Sequence, residues 1–253
     1  MSDRVPTTPS TPRPAADPPL PPPPENPMDR AFLTNTATAA ELILVRHGQQ
    51  DYPKDLPRAT TADWVDPPLS DIGNRQAVAV GESMADEVIT AVYSSNLERA
   101  HETGRQIARH HGLEVTVLEA LREIELFRDL PEGTTLLDAV DPILLRGARE
   151  RWVQDRRWDV YPFSETGDEF RHRILMAVEG ILATHPGERI VVACHGGVIN
   201  AVTGAILGLR EDMFYRPAHA SVHRVGTLGE RRVIWSLNET HHLSAVDPAL
   251  VTW

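Results

Sequence analysis

Leu42-Ile43-Leu44-Val45-Arg46-His47-Gly48 is a short apolar run that closes on arginine, histidine and glycine. Far along the chain, Ile190-Val191-Val192-Ala193-Cys194-His195-Gly196-Gly197 repeats the pattern with its own histidine and two glycines. Runs this short and this apolar fit strands buried on both faces, as in a sheet covered by helices on either side. Outward from them, strand and helix patterns alternate. The spacing predicts strands over 41–46, 91–95, 113–118 and 189–197, the last running into a Gly-Gly turn. Helices are expected over 71–84 with Ser70 as cap, over 97–110, within 134–157 with Pro142 near the start of the longer piece, over 169–185 and over 198–207. Residues 221–228 and 231–237 flank Gly229-Glu230 as a hairpin. The expected fold is α/β: a three-layer α/β/α sandwich around a central, mostly parallel sheet.

Composition bounds the rest. The chain has 253 residues, 36 acidic and 25 basic, for a formal net charge of -11, and 41% of it is hydrophobic. Of its 21 prolines, 11 precede residue 28, and Lys54 is the only lysine. Proline without large apolar groups predicts a disordered tail over residues 1–40 and one folded domain over 41–253. Leu20-Pro21-Pro22-Pro23-Pro24 favours polyproline II, an extended leader. No apolar run near the start approaches the roughly 20 residues of a membrane span, and no signal-peptide core is visible, so a cytoplasmic protein without a membrane partner is expected. A lone cysteine, Cys194, makes no internal disulfide and no Cys-rich zinc module. The acidic balance argues against a nucleic-acid partner.

Ligands of open α/β sheets bind at the carboxyl ends of the strands. That rule brings Arg46, His47, Arg99 and His195 into one crevice. Two guanidinium groups and two imidazoles there form a donor-rich, positive pocket, and an arginine fork matches phosphate oxygens two at a time. Glycine after each histidine lets backbone approach an anion closely. Cys194, pointing away from His195 by strand alternation, reads as packing. His101, His110, His111, His241 and His242 read as exposed helix or loop residues.

The motifs "LVRHGQQDY", "YSSNLERAHETG", "LREIELF" and "VVACHGGVI", in this order, resemble the histidine phosphatase superfamily, whose members include the phosphoglycerate mutases. "PPLSDIGNRQA" resembles a further stretch of that family. The resemblance spans about Glu41 to Leu243 and implies a phosphoglycerate mutase-like fold and phosphoryl transfer through a phosphohistidine, with no cofactor and no metal. His47 then matches the nucleophile. Arg46, Arg99 and His195 match the groups that hold the phosphoryl oxygens, with the Gly196 N–H as a further donor. Glu123 matches the proton donor, with Glu125 two positions on as its rival. A His195 that must stay protonated predicts activity falling as it deprotonates.

Two positions depart from the family pattern. Pro53 stands where asparagine is common, and Gln50 where serine or threonine is usual. The expected activity is hydrolysis of a small phosphomonoester. The alternatives are mutase-type transfer, which needs more basic groups around a second anion, metal-dependent hydrolysis, and a non-catalytic phosphate-binding scaffold. Residues 146–170, rich in tryptophan and arginine, are expected to cover the site.

Overall fold

The computed structural model describes residues 26–36, 38–54, 59–131 and 133–253. In chain order the elements are α1 (Pro27–Phe32), β1 (Ala40–Arg46), α2 (Thr61–Val65), α3 (Asp71–Ser83), β2 (Ala91–Ser94), α4 (Glu98–His111), β3 (Val115–Val117), α5 (Leu136–Ala139), α6 (Pro142–Asp155), α7 (Gly167–Thr184), β4 (Arg189–Cys194), α8 (Gly196–Leu207), β5 (Val222–Leu228), β6 (Arg231–Glu239) and α9 (His241–Val246). The six strands form one sheet in the order β3-β2-β4-β1-β5-β6. β1 to β4 run parallel, while β5 and β6 are antiparallel to their neighbours.

The apolar runs of β1 and β4 explain why these strands lie at the centre. Alternate side chains of a strand face opposite ways. Leu42 and Leu44, with Ile190 and Val192, pack against Phe170, Ile174 and Val178 of α7 and Val198 and Ile199 of α8. Ile43 and Val45, with Val191, pack against Val80 of α3, Ile107 of α4 and Leu243 of α9. The result is the three-layer arrangement the sequence predicts. Each fully buried Leu, Ile or Val contributes about 1.5–3 kcal/mol relative to exposure. Local capping agrees with the pattern: the Ser70 side chain accepts from Gly73 N at 3.1 Å, and Gly112 ends α4 with φ 65°.

Three expectations need correction. The boundary at residue 40 is too late, because α1 already packs on the domain. Leu33 is 1% exposed, the Trp235 indole donates to Phe32 O at 2.9 Å, and Arg231 donates to Ala31 O at 2.6 Å. Leu33 follows Phe32 at the end of a six-residue helix too short to show a periodic apolar face, so its burial is invisible to local pattern. Residues 1–25, with the polyproline run, lie outside the described residues. Second, Gly196 and Gly197 are not a turn; they form the first turn of α8 directly after β4. Third, the 113–118 strand is only Val115–Val117. Leu33→Ala is expected to lower stability by about 2–4 kcal/mol, read by urea denaturation, since it empties a filled core position. Among the described residues no helix is long and apolar enough to cross a membrane.

Candidate active site

β1 and β4 are parallel with Arg46 opposite Cys194, so the next residue on each strand leaves the sheet side by side. Those residues are His47 and His195. The His47 N–H donates to Cys194 O at 2.9 Å, and the two imidazole centroids lie 5.1 Å apart.

His47 is buried, and its Nδ1 lies 2.7 Å from Gly48 O. A carbonyl oxygen only accepts, so Nδ1 carries the hydrogen and Nε2 carries the lone pair. That lone pair accepts from Arg99 Nε at 3.4 Å. Burial first, and then the charges of Arg99, His195 and Arg46, push the His47 pKa well below its usual 6.5. A neutral imidazole with an oriented lone pair is the nucleophilic form. Glycine at 48 serves a purpose the sequence reading did not foresee: a Cβ there would meet the Gly73 carbonyl oxygen of α3 at 2.4 Å. The requirement is close backbone packing rather than approach to an anion.

His195 is fully buried, with Nε2 2.7 Å from the Ser95 hydroxyl at the end of β2. Its Nδ1 is buried and meets no protein partner. Burial, then Arg99 and Arg46, push its pKa well below 6.5. The ring is therefore neutral at neutral pH, whereas the sequence reading expects a protonated His195 whose deprotonation lowers activity. Arg46 donates to Pro217 O, and its Nε is buried without a partner. Burial lowers its pKa to about 10, partly offset by Glu123, so it stays cationic at neutral pH. Arg99 sits in the first turn of α4. Its guanidinium donates to Val65 O at 3.0 Å and lies 3.6 Å from Asp66, whose carboxylate also caps α4 by accepting from Glu98 N at 2.8 Å.

Glu123 follows a short 3-10 turn and reaches the start of α8. One carboxylate oxygen accepts from Gly197 N, the other from Ile124 N, both at 3.0 Å. The helix N-terminus favours that negative charge. A Cβ on residue 197 would stand 2.2 Å from Glu123 Oε1, so this seat exists only for glycine. Glu125 instead lies 3.3 Å from Arg122 and is partly exposed. Arg46, Glu123 and Gly196 thus line one cleft of about 430 Å³. A Cβ on Gly196 would lie 3.8 Å from Arg46 Nε, which puts the first turn of α8 beside that guanidinium. Among the described residues no three His, Cys, Asp or Glu side chains group as metal ligands.

Several neighbours escaped sequence reading. Asn200 of α8 is buried; its amide donates to Gly196 O and Tyr215 O and accepts from Phe214 N, pinning the loop that closes the cleft. The His219 ring lies 6.0 Å from His47 and its Nδ1 2.9 Å from Thr252 Oγ1. His242, read as exposed, is buried with Nε2 2.9 Å from Ala220 O. No periodicity marks these positions, because each is set by segments distant in sequence. Of the departures, Gln50 donates to the Tyr52 hydroxyl at 2.7 Å and Pro53 is half-buried. Cys194 packs in the core, and burial pushes its thiol pKa upward.

The profile of the histidine phosphatase superfamily (branch 1) matches residues 42–240. The chain belongs to this superfamily. A glucosyl-3-phosphoglycerate phosphatase of Mycolicibacterium vanbaalenii is 33% identical over 179 residues, 68% of this chain and 76% of that protein. A metal-independent phosphoserine phosphatase of Arabidopsis thaliana is 28% identical over 220 residues, 81% and 84% of the two chains. The native structure of a mycobacterial glucosyl-3-phosphoglycerate phosphatase superposes with TM-score 0.64 at 27% identity, covering 80% of this chain and all of that one. This histidine phosphatase is a phosphoric monoester hydrolase, with the sheet and helical layers of the phosphoglycerate mutase-like fold.

The neutral histidines carry a pH consequence for this phosphatase. Burial pushes His219 and His223 from 6.5 down to about 3. Below 6.5 the unfolded chain takes up protons that the folded chain refuses. Their contribution is thus full above about 6.5 and is lost as pH falls toward 3. The urea midpoint is expected to drop steadily across that window; a flat midpoint contradicts burial of neutral rings.

Proposed function

We propose that the enzyme hydrolyses small phosphomonoesters through a phosphohistidine on His47. The observation that carries this reading is the His47 tautomer: Nδ1–H held by Gly48 O leaves Nε2 as a lone pair beside the Arg99 guanidinium. Nε2 attacks phosphorus in line with the leaving oxygen. Arg46, Arg99 and His195, with the Gly196 N–H, hold the non-bridging oxygens, whose charge persists through the transition state. Glu123 takes up the proton that enters with a monoanionic phosphomonoester, passes it to the leaving alcohol, and then takes one from the water that releases phosphate. The fixed positive groups act without reorganising, which is where most of the rate enhancement resides.

Rapid acid-free quenching during turnover should trap an acid-labile phosphoryl group on His47. Turnover of an aryl phosphate should continue undiminished in EDTA; a rate lost to EDTA and restored by a divalent ion would overturn the mechanism. Activity that appears only with 2,3-bisphosphoglycerate would favour mutase transfer instead. The buried, unpaired Cys194 fits action in a reducing, cytoplasmic compartment.

A further inference from the structure

Near the end of the chain, Asn238-Glu239-Thr240-His241-His242-Leu243 holds a buried histidine that phosphoryl transfer leaves without a task. His242 sits in the first turn of α9, and its Nε2 lies 2.9 Å from Ala220 O. A carbonyl oxygen only accepts, so Nε2 carries the ring hydrogen. Burial pushes the His242 pKa below 6.5, so at neutral pH the ring is neutral and that hydrogen is its only N–H. Among the described residues this is the only hydrogen bond to Ala220 O.

Ala220 gives the bond a purpose. Its φ is 52°, in the left-handed region that residues with a Cβ seldom adopt, and it is fully buried. A residue stays in such a conformation only when its surroundings hold it there. The same residue supports His47 from behind: Ala220 N donates to His47 O at 3.1 Å. Its neighbours seat Arg46, whose N–H donates to Ser221 O at 3.1 Å and whose guanidinium donates to Pro217 O. The loop 217–221 is thus the mould in which Arg46 and His47 lie.

The rest of that loop is tied by other groups. Ala218 N donates to Asn238 Oδ1 at 2.7 Å, and His219 N to Thr252 O at 2.9 Å. The Asn238 N–H donates to His223 Nδ1 at 3.0 Å, so His223 carries its hydrogen on Nε2 and donates to Ser221 Oγ at 3.0 Å. These bonds fix the residues on either side of 220, while the carbonyl of 220 depends on His242.

We infer that His242 is a positioning residue for His47: its Nε2–H holds Ala220 in the left-handed conformation, from which the Ala220 N–H fixes the His47 carbonyl and with it the aim of the imidazole. The inference rests on the reading of His47 as nucleophile, and it concerns a residue that touches no reacting atom.

The test is steady-state turnover of an aryl phosphate, with competitive inhibition by inorganic phosphate as the binding readout and a urea midpoint for each variant. His242→Met keeps the length of the side chain but has no donor. It should lower kcat by at least about tenfold, because a small misplacement of a reacting group is that costly. Phosphate inhibition should stay within about threefold, since Arg46, Arg99 and His195 are held by other bonds. His242→Gln brings an amide N–H to the same reach and should recover kcat to within about threefold of the wild type. Glycine takes φ 52° without penalty, so Ala220→Gly should be mild alone and should restore part of the kcat lost in His242→Met. Losses from a merely structural role would add instead. His242→Asn, whose amide stops short of Ala220 O, replaces His242→Met should that variant not fold. The inference is overturned by a donor-less variant with kcat within about twofold of the wild type, or by a His242→Gln variant as slow as His242→Met. It is equally overturned if kcat and phosphate affinity fall together, or if the losses add when Ala220→Gly is combined with His242→Met. Turnover that survives His47→Ala would overturn the His47 reading instead, whatever the His242 variants show.

Discussion

His47→Ala is expected to abolish turnover, with kcat down by at least about 10⁴-fold, because no other group is placed to attack phosphorus. The imidazole sits between Arg99 and His195 and is buried among groups that keep it neutral. Its removal takes away the nucleophile but no ion pair, so the fold should persist, with an unchanged circular dichroism spectrum. Arg46, Arg99 and His195 remain, so the variant should still bind inorganic phosphate. A variant that is folded, binds phosphate and yields no trapped phosphoprotein separates chemistry from binding. The acid side of the wild-type pH profile carries the same information. An unperturbed histidine nucleophile loses its lone pair as pH falls through about 6.5. Burial and neighbouring cations shift that loss to lower pH, so kcat/KM should hold below 6.5 before it falls.

Gly197→Ala should cost about 10²-fold in kcat without touching a reacting atom. The new methyl would stand 2.2 Å from Glu123 Oε1, well inside contact distance, so the carboxylate must leave the first turn of α8. It then loses the Gly197 N–H that orients it. The loss should depend on the leaving group. An alkyl phosphate needs a proton on its departing oxygen and should show the full effect; an aryl phosphate with an acidic phenol needs little help and should be nearly spared. An equal loss on both would mean that the substitution damages the phosphoryl end rather than proton donation. Glu123→Gln should show the same leaving-group dependence.

What was legible in the sequence follows locality. β1, β4, α3 with its Ser70 cap and α4 with its closing Gly112 all announce themselves within a dozen residues, through apolar runs, caps and periodicity. The two histidines could be placed together because a parallel pair fixes which residues leave the sheet side by side. The motif puts Glu123 ahead of Glu125, but the contact that sets the two apart in the structure, the Gly197 N–H, lies 74 residues on. Leu33 is buried in a segment tied down from two hundred residues away by the Arg231 to Ala31 bond. The burial of His219 and the bonds of Asn200 are likewise set by the closing loop. Gly196-Gly197 misled for a different reason: glycine pairs usually signal turns, and here they open a helix because a carboxylate occupies the space of a side chain.

The parallel register of β1 and β4 divides the molecule by how freely it can change. His47 and His195 are attached to the two central strands, backbone that opens only when the whole domain does. The outer wall of the cleft, with Trp152, Trp158 and Phe214, hangs from α6, the turn after it and the loop before β5. Mutation can therefore rework the outer wall while the groups around His47 stay put. A superfamily so partitioned can acquire new substrates by editing its rim, with relatives named for glucosyl-3-phosphoglycerate and for phosphoserine matching one and the same chain.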